Sequence, residues 1–332
     1  MSFIYVTAND ATIGINGGHI EVRYGDGSVE QFPKYTVEGI SLFGKTQITS
    51  ACMQFCMEND ILVSFFTQAG RYYGKLSPAR ISSIDRLKNQ IKATEDESFS
   101  LAIARKIMYA KINNQYVVAK RYMKEEKEKK KEILFPMRNA RRKVISAQDL
   151  NQIMGYEGFS AKTYFSVLSE QIDENFSFQG RTRRPPKDPF NAMISFGYSL
   201  LLKEVIGEIE NRGLNAYIGF IHSERDRLPA LACDLMEKWR AVLVDTNVMS
   251  LIQGHEVQKE QFIIKENYCE MDSKIIKILL GKLETKMHTR MQYLSYLQKE
   301  VTFREAIWFQ ISRLAKAIDH REPDFYDPIC IR

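Results

Sequence analysis

The chain has 332 residues, 44% of them hydrophobic, and a formal net charge of +6. That length carries two domains or one large one, and the mild basic excess is compatible with a polyanionic partner without identifying one. Five cysteines, odd in number and with no CxxC pair, argue against a disulfide or zinc framework, the N-terminus lacks signal-peptide character, and no uncharged run approaches the roughly 18 residues that span a membrane, so a reduced, cytoplasmic protein is expected.

Residues 1–77 read as one β-rich unit. Phe3–Thr7, Ala11–Ile15 and His19–Tyr24 are short strand candidates, separated by the turn residues Asn16-Gly17-Gly18 and followed by Gly25-Asp26-Gly27. Val37–Phe43 is a further strand. Apolar residues at helical spacing then predict an amphipathic helix over Thr46–Met57, where Cys52 and Cys56 are assigned to core packing. Ile61–Thr67 is a dense apolar strand, and Gln68-Ala69-Gly70-Arg71 turns into the last one, Tyr72–Leu76.

After Pro78 the pattern becomes helical almost throughout, so the expected class is α+β: a small N-terminal β-rich domain, a linker and first helix over 78–97, and a larger, almost all-α domain over 98–332. Asp85–Lys92 and Ser98–Lys111 carry 3.6-residue periodicity. Tyr122–Lys131 is a mixed-charge stretch that reads as a solvated helix with i,i+4 ion pairs. Ser146–Glu170 is helical, with Ser146-Ala147-Gln148-Asp149 as its capping start. Asp188 caps a helix over Pro189–Asn211, with Pro189 at its first position and Gly213 past its end. The tail from Glu322 to Pro328 is proline-broken and expected to be irregular.

Basic residues cluster at Arg138, Arg141, Arg142 and Lys143, and again at Arg181, Arg183, Arg184 and Lys187. A solvated surface accounts for either cluster. For the second, a phosphate-gripping strap is preferred, because no acid opposes it before Asp188 and guanidinium groups hold phosphate bidentately.

The chemistry-bearing residues are few. Glu157 sits between glycines in Gly155-Tyr156-Glu157-Gly158. His222 closes Gly219-Phe220-Ile221-His222, and Asp234 and Glu237 follow three apart on one helical face. Carboxylates with an imidazole form an oxygen–nitrogen ligand set suited to Mg²⁺ or Mn²⁺. Three roles stay open for Asp234: a direct ligand, a residue orienting His222 or a water, or a helix-terminal charge. Cys233 lacks an activating base to spare and is not read as a nucleophile. No Walker A or dinucleotide fingerprint is present, which argues against ATP or NAD chemistry.

The stretch from Gly155 to Phe165, the Gly219–His222 segment and Asp234-Leu235-Met236-Glu237-Lys238-Trp239-Arg240, with Asp188-Pro189-Phe190-Asn191-Ala192 and Gly197-Tyr198 between them, resemble the motifs of the CRISPR-associated adaptation protein one family, the integrase subunit of CRISPR systems. The order and separation of these motifs, over most of the chain, carry the resemblance. It implies a metal-dependent DNA endonuclease and integrase acting in antiviral defence. Glu157, His222 and Glu237 are its catalytic metal ligands. A 3′-hydroxyl of a foreign DNA fragment attacks a phosphodiester at a CRISPR repeat. The implied assembly is a homodimer through the β-rich domain, with a small companion adaptation protein bridging two dimers. The basic residues named above are the candidate DNA contacts. Two other classes compete: a DNA-binding scaffold with a degenerate site, and a zinc hydrolase, which lacks HExxH spacing.

Overall fold

The computed structural model describes residues 2–76, 83–176, 178–182, 185–222 and 228–332. Its packing separates two compact units, Met1–Ile81 with Met271–Leu280, and Ser82–Glu270 with Gly281–Arg332. The strand-rich unit thus also includes a segment from far along the chain. The class is α+β, with strands at the front and helices behind.

In chain order the first unit contains β1 (Ser2–Val6), β2 (Thr12–Asn16), β3 (His19–Arg23), β4 (Val29–Pro33), β5 (Val37–Phe43), β6 (Gln47–Ile48), α1 (Ser50–Glu58), β7 (Leu62–Phe66) and β8 (Tyr72–Leu76). They form two four-stranded sheets, ordered β1-β5-β7-β8 and β4-β3-β2-β6. The glycine-bearing turn after Asn16 closes the β2–β3 hairpin, in which Asn16 pairs with His19. Ile13, Ile20, Val22, Ile40, Val63, Cys52 and Cys56 are fully buried in one core, as the apolar spacing of α1 requires.

Two local expectations are corrected. Strand β4 was not foreseen, because its residues are mostly exposed and carry no apolar alternation. Helix α1 starts at Ser50, capped by Thr49, because Gln47–Ile48 instead pair in parallel with Thr12–Ile13.

The second unit is built around α3. Its helices are α2 (Ile84–Glu95), α3 (Glu97–Tyr122), α4 (Lys127–Ile133), α5 (Phe135–Lys143), α6 (Leu150–Glu170), α7 (Pro189–Asn211), α8 (Ala230–Trp239), α9 (Thr246–Gln253), α10 (Ser273–His288, its first half in the other unit) and α11 (Phe303–His320). Two short pairs, β9 (Phe262–Ile264) with β10 (Cys269–Met271) and β11 (Arg290–Met291) with β12 (Val301–Thr302), complete it. Helix α3 runs eleven residues past the expected Lys111, and it packs against α5, α6 and α8. That enclosure explains why it carries buried residues on every side, polar ones among them. The charged stretch after it is broken at Met123–Glu126 and resumes as α4, largely exposed, with a Lys131–Glu128 ion pair of 2.8 Å. Helix α6 begins at Leu150 with Asp149 as its cap, not at Ser146, because the Asp149 carboxylate accepts from Gln152 N at 2.8 Å.

The tail is irregular but not loose. Asn114 on α3 donates to Ile329 O and accepts from Ile331 N at 2.9 Å, and Gln310 on α11 donates to Asp327 O at 2.8 Å. The buried Lys238 donates to the Tyr326 hydroxyl at 2.8 Å. Side-chain amides therefore do for this extended tail what a neighbouring strand would do in a sheet. No helix among the described residues is long and apolar enough to cross a membrane.

Candidate active site

Helices α3, α6 and α8 bring together the residues that the sequence singled out, and add one that it did not. Lys111 of α3 is buried, and its ammonium lies 2.6 Å from Glu157 Oε1 on α6 and 2.6 Å from Glu237 Oε2 on α8. The two carboxylate oxygens thus stand within twice that distance of each other. The other oxygen of Glu237 faces Arg240 Nη1 at 2.8 Å, one helical turn along. Glu237 is only 4% exposed. Burial alone would push its carboxyl up, but Arg240 and Lys111 outweigh that and hold its pKa near about 2.

Asp234 lies at the foot of the loop that carries His222. It is fully buried, and both its oxygens are engaged. Oδ2 accepts from the backbone of Phe220 at 2.7 Å and of Ile221 at 3.0 Å, and Oδ1 accepts from His222 N at 3.1 Å. Oδ1 also lies 2.6 Å from His222 Nδ1. A carboxylate can only accept, so Nδ1 carries the proton and Nε2 keeps its lone pair. Asp234 therefore orients the histidine and pins the loop that carries it. Gly219 makes room for this: a Cβ there would lie 2.8 Å from Asp234 Oδ2 and 2.9 Å from Ala230 backbone. The hydrogen bond to Asp234 raises the His222 pKa above its ordinary 6.5, and nearby Glu237 adds to the rise.

Among the described residues no three His, Cys, Asp or Glu side chains converge as a group able to hold a metal ion. The donor chemistry fits one nonetheless. Two carboxylates already share a cation, His222 is close enough to feel Glu237, and its Nε2 has no hydrogen-bond partner among the described residues. Glu237 Oε2 is also buried without an aligned hydrogen-bond donor, although the Lys111 ammonium touches it. The cation between the carboxylates here is the lysine.

Behind this site lies a second buried polar group. Residues Arg240–Asp245 form a π-helical segment, a feature frequent near functional sites. Its last residue, Asp245, accepts from Tyr198 at 2.6 Å and Tyr164 at 2.8 Å. Burial pushes the Asp245 carboxyl up to about 6, although both phenols oppose the rise. A Cβ at Gly197 would lie 2.5 Å from Val244 Cγ1, so glycine lets α7 approach and deliver Tyr198. Arg240 covers the Tyr198 ring at 4.8 Å, joining this group to Glu237.

The candidate DNA contacts separate by environment. Arg181 is partly buried, bonded to the Asn191 side chain and set against the Tyr198 and Phe165 rings. Asn191 also donates to Gly180 O at 2.9 Å and to Asp188 at 2.6 Å, so it anchors this part of the loop. Arg141 is likewise engaged, with Asn113 at 2.9 Å and the Tyr116 ring at 5.0 Å. Arg138, Arg142 and Lys187 are exposed. Arg183 and Arg184 lie outside the described residues.

Sequence reasoning missed Lys111, Arg240 as a partner of Glu237, and Asp245. The signal for Lys111 was available: Lys111, Asn113, Asn114 and Gln115 stand between the apolar stretches Ile107–Ala110 and Tyr116–Ala119, and buried polar groups need partners.

The family model described as CRISPR associated protein Cas1 matches residues 4–285. A Thermus thermophilus protein named CRISPR-associated endonuclease Cas1 3 is 31% identical over 331 residues, covering 99% of this chain and 97% of that one. Among solved structures, a casposase bound to integration product aligns with a TM-score of 0.84 at 23% identity, over 97% of this chain and 91% of that chain. A Cas6-RT-Cas1–Cas2 complex aligns with a TM-score of 0.85 at 21% identity, over 100% of this chain and 36% of that chain. The structural likenesses are those of fold; the family match and the full-length relative establish that this chain belongs to the Cas1 family.

Proposed function

We propose that this chain is a metal-dependent DNA integrase and endonuclease that inserts DNA fragments into a CRISPR array. One observation carries the reading. Two carboxylates from separate helices meet on a single cation, beside a histidine whose inner nitrogen is held by a buried aspartate and whose outer nitrogen has no partner among the described residues. Family membership makes DNA the substrate class to test, and the name of the Thermus thermophilus relative supports nuclease chemistry.

Glu157, His222 and Glu237 are the residues that would hold Mg²⁺ or Mn²⁺. When bound, the ion supplies positive charge at the scissile phosphate and lowers the pKa of the attacking hydroxyl. The protein's own groups do the rest. Asp234 fixes the His222 tautomer and the loop backbone. Arg240 and Lys111 hold Glu237 ionised, and the Tyr198 ring of the Asp245–Tyr198–Tyr164 group packs against Arg240. A fragment's 3′-oxygen bonds to the target phosphorus, the bond to the target strand's own 3′-oxygen breaks, and that leaving oxygen takes up a proton. The reaction exchanges one phosphodiester for another and needs no external energy source. With water in place of the 3′-hydroxyl, the same site cuts DNA.

Two attacks at a fixed spacing need two sites, and each chain carries one. The reading therefore includes a homodimer through the strand-rich region. It also includes a small companion adaptation protein bridging two dimers, for which the Cas1–Cas2 complex is the structural parallel. The test is single-turnover strand transfer of a 3′-hydroxyl fragment into repeat DNA, with Mn²⁺ or with chelator. Metal-dependent joining that Glu157→Gln and His222→Ala each abolish supports the reading, and joining that persists in chelator refutes it.

A further inference from the structure

We infer that Lys111 is a built-in stand-in for the metal ion: its ammonium holds the acidic site together in the metal-free protein and yields its place when the ion binds. The inference rests on the metal-dependent reading above and concerns a residue outside the ligand trio.

The geometry is the argument. Lys111 is 6% exposed, and it reaches the site from α3, a helix otherwise enclosed by its neighbours. Its ammonium is 2.6 Å from one oxygen of each acidic residue. Two carboxylates drawn this close in a buried site repel strongly unless a cation sits between them. Of the two acids, Arg240 pairs with Glu237, and through its other oxygen. Among the described residues, Lys111 is the cation that touches both acids and so bridges the two helices that carry them. A divalent ion held by Glu157 and Glu237 would draw on the same two carboxylates that the ammonium now touches, so ion and ammonium compete for their charge.

The lysine stem is a flexible chain of four carbons, and its head is a compact point charge. It can retract from the carboxylates without moving α3. DNA would bring a phosphate carrying negative charge to the site, which gives the displaced ammonium a new partner. Lys111 would then act twice: as a placeholder before loading, and as a second positive charge beside the scissile phosphate afterwards. A purely structural lysine would do neither.

These roles pull two measurements in opposite directions. Lys111→Met keeps the length of the side chain and removes its charge. Without metal, the full-length variant should melt on the order of 10 °C lower than wild type, because two close acids lose their common cation. Its Mn²⁺ affinity, measured by calorimetry at low ionic strength, should be about tenfold tighter or more, because the competing charge is gone. Saturating Mn²⁺ should recover most of the lost melting temperature. Strand transfer should nonetheless fall, by on the order of a hundredfold, for want of the second charge.

A variant that binds Mn²⁺ no tighter than wild type overturns the inference and leaves the metal reading intact. Absence of Mn²⁺ binding by wild type itself overturns both. Should Lys111→Met fail to fold, Lys111→Arg decides. It keeps a cation between the acids, so it should melt near wild type and bind Mn²⁺ no more tightly. Tighter binding by Lys111→Arg overturns the proposal.

Discussion

Asp234→Asn is nearly isosteric, yet the structure predicts that it disables both the loop and the histidine. The aspartate accepts four hydrogen bonds: 2.7 Å and 3.0 Å on one oxygen, 3.1 Å and 2.6 Å on the other. Bonds to a charged acceptor contribute roughly 1.5–3 kcal/mol each, and neutral ones about half of that. An asparagine oxygen can retain one pair, at neutral strength. Its NH₂ must face the other pair, and the His222 or Phe220–Ile221 amides then meet a donor instead of an acceptor. Losing two charge-assisted bonds and halving two more amounts, at the lower end of those values, to about 4.5 kcal/mol, a large share of the 5–15 kcal/mol by which domains are stable. For a unit of this size the corresponding fall in melting temperature is on the order of 10 °C. The ring responds as well. With NH₂ beside it, Nδ1 turns acceptor, the proton moves to Nε2, and the lone pair meant for a metal is lost. Mn²⁺ affinity should drop roughly 10- to 100-fold, the range seen when groups that orient a metal ligand are removed. Differential scanning fluorimetry without metal, followed by Mn²⁺ titration, reads both effects. Wild-type melting together with wild-type Mn²⁺ affinity would refute the reasoning.

Four further outcomes are expected. In the metal-free protein the His222–Asp234 pair raises the histidine pKa above its ordinary 6.5. Its stabilisation should be fully present below about pH 6.5 and lost as pH rises through the folded-state value, and Asp234→Asn should remove that segment of the stability–pH curve. Charge reversal at the exposed Arg138, Arg142 and Lys187 should lower the salt dependence of DNA binding by about 0.9 log unit per lost phosphate contact, as measured by fluorescence anisotropy. Arg141→Ala and Arg181→Ala should instead lower the melting temperature, because those side chains are engaged with Asn113 and Asn191. Burial lowers the Lys238 pKa from 10.5 to about 7. The unfolded chain then binds the extra proton between pH 7 and about 10.5, so stability from this group should rise across that window, and Lys238→Met should flatten the rise in a urea-unfolding series.

The parts of the molecule legible in sequence are those set by local chemistry. Turn glycines, the alternation of β2 and β3, and the Asp188-Pro189 start of α7 announce themselves over a few residues. His222 and Glu237 stood out because an imidazole is followed by two carboxylates three apart on one helical face. What escaped depends on packing between distant segments. Strand β4 is exposed and shows no alternation. Lys111 lies in a polar stretch of α3, but its partners appear only where α6 and α8 close over it. Asp245 gains its meaning only when the π-helical segment turns it toward Tyr164 and Tyr198. The tail looks like a frayed end, yet it is held by Asn114 and Gln310, more than a hundred residues apart in the chain. Asp234 shows the same limit from the other side: spacing placed it on the face of Glu237, and only the loop backbone folded onto it shows which groups it holds.

The most direct test of the central claim is metal-dependent strand transfer by the full-length chain, scored at single turnover with a 3′-hydroxyl DNA fragment and a repeat-containing duplex. The account predicts joined product with Mn²⁺ or Mg²⁺, none with chelator, and loss of product in Glu157→Gln, His222→Ala and Glu237→Gln proteins that still fold. Undiminished joining by any folded member of that trio, at matched metal concentration, would contradict it.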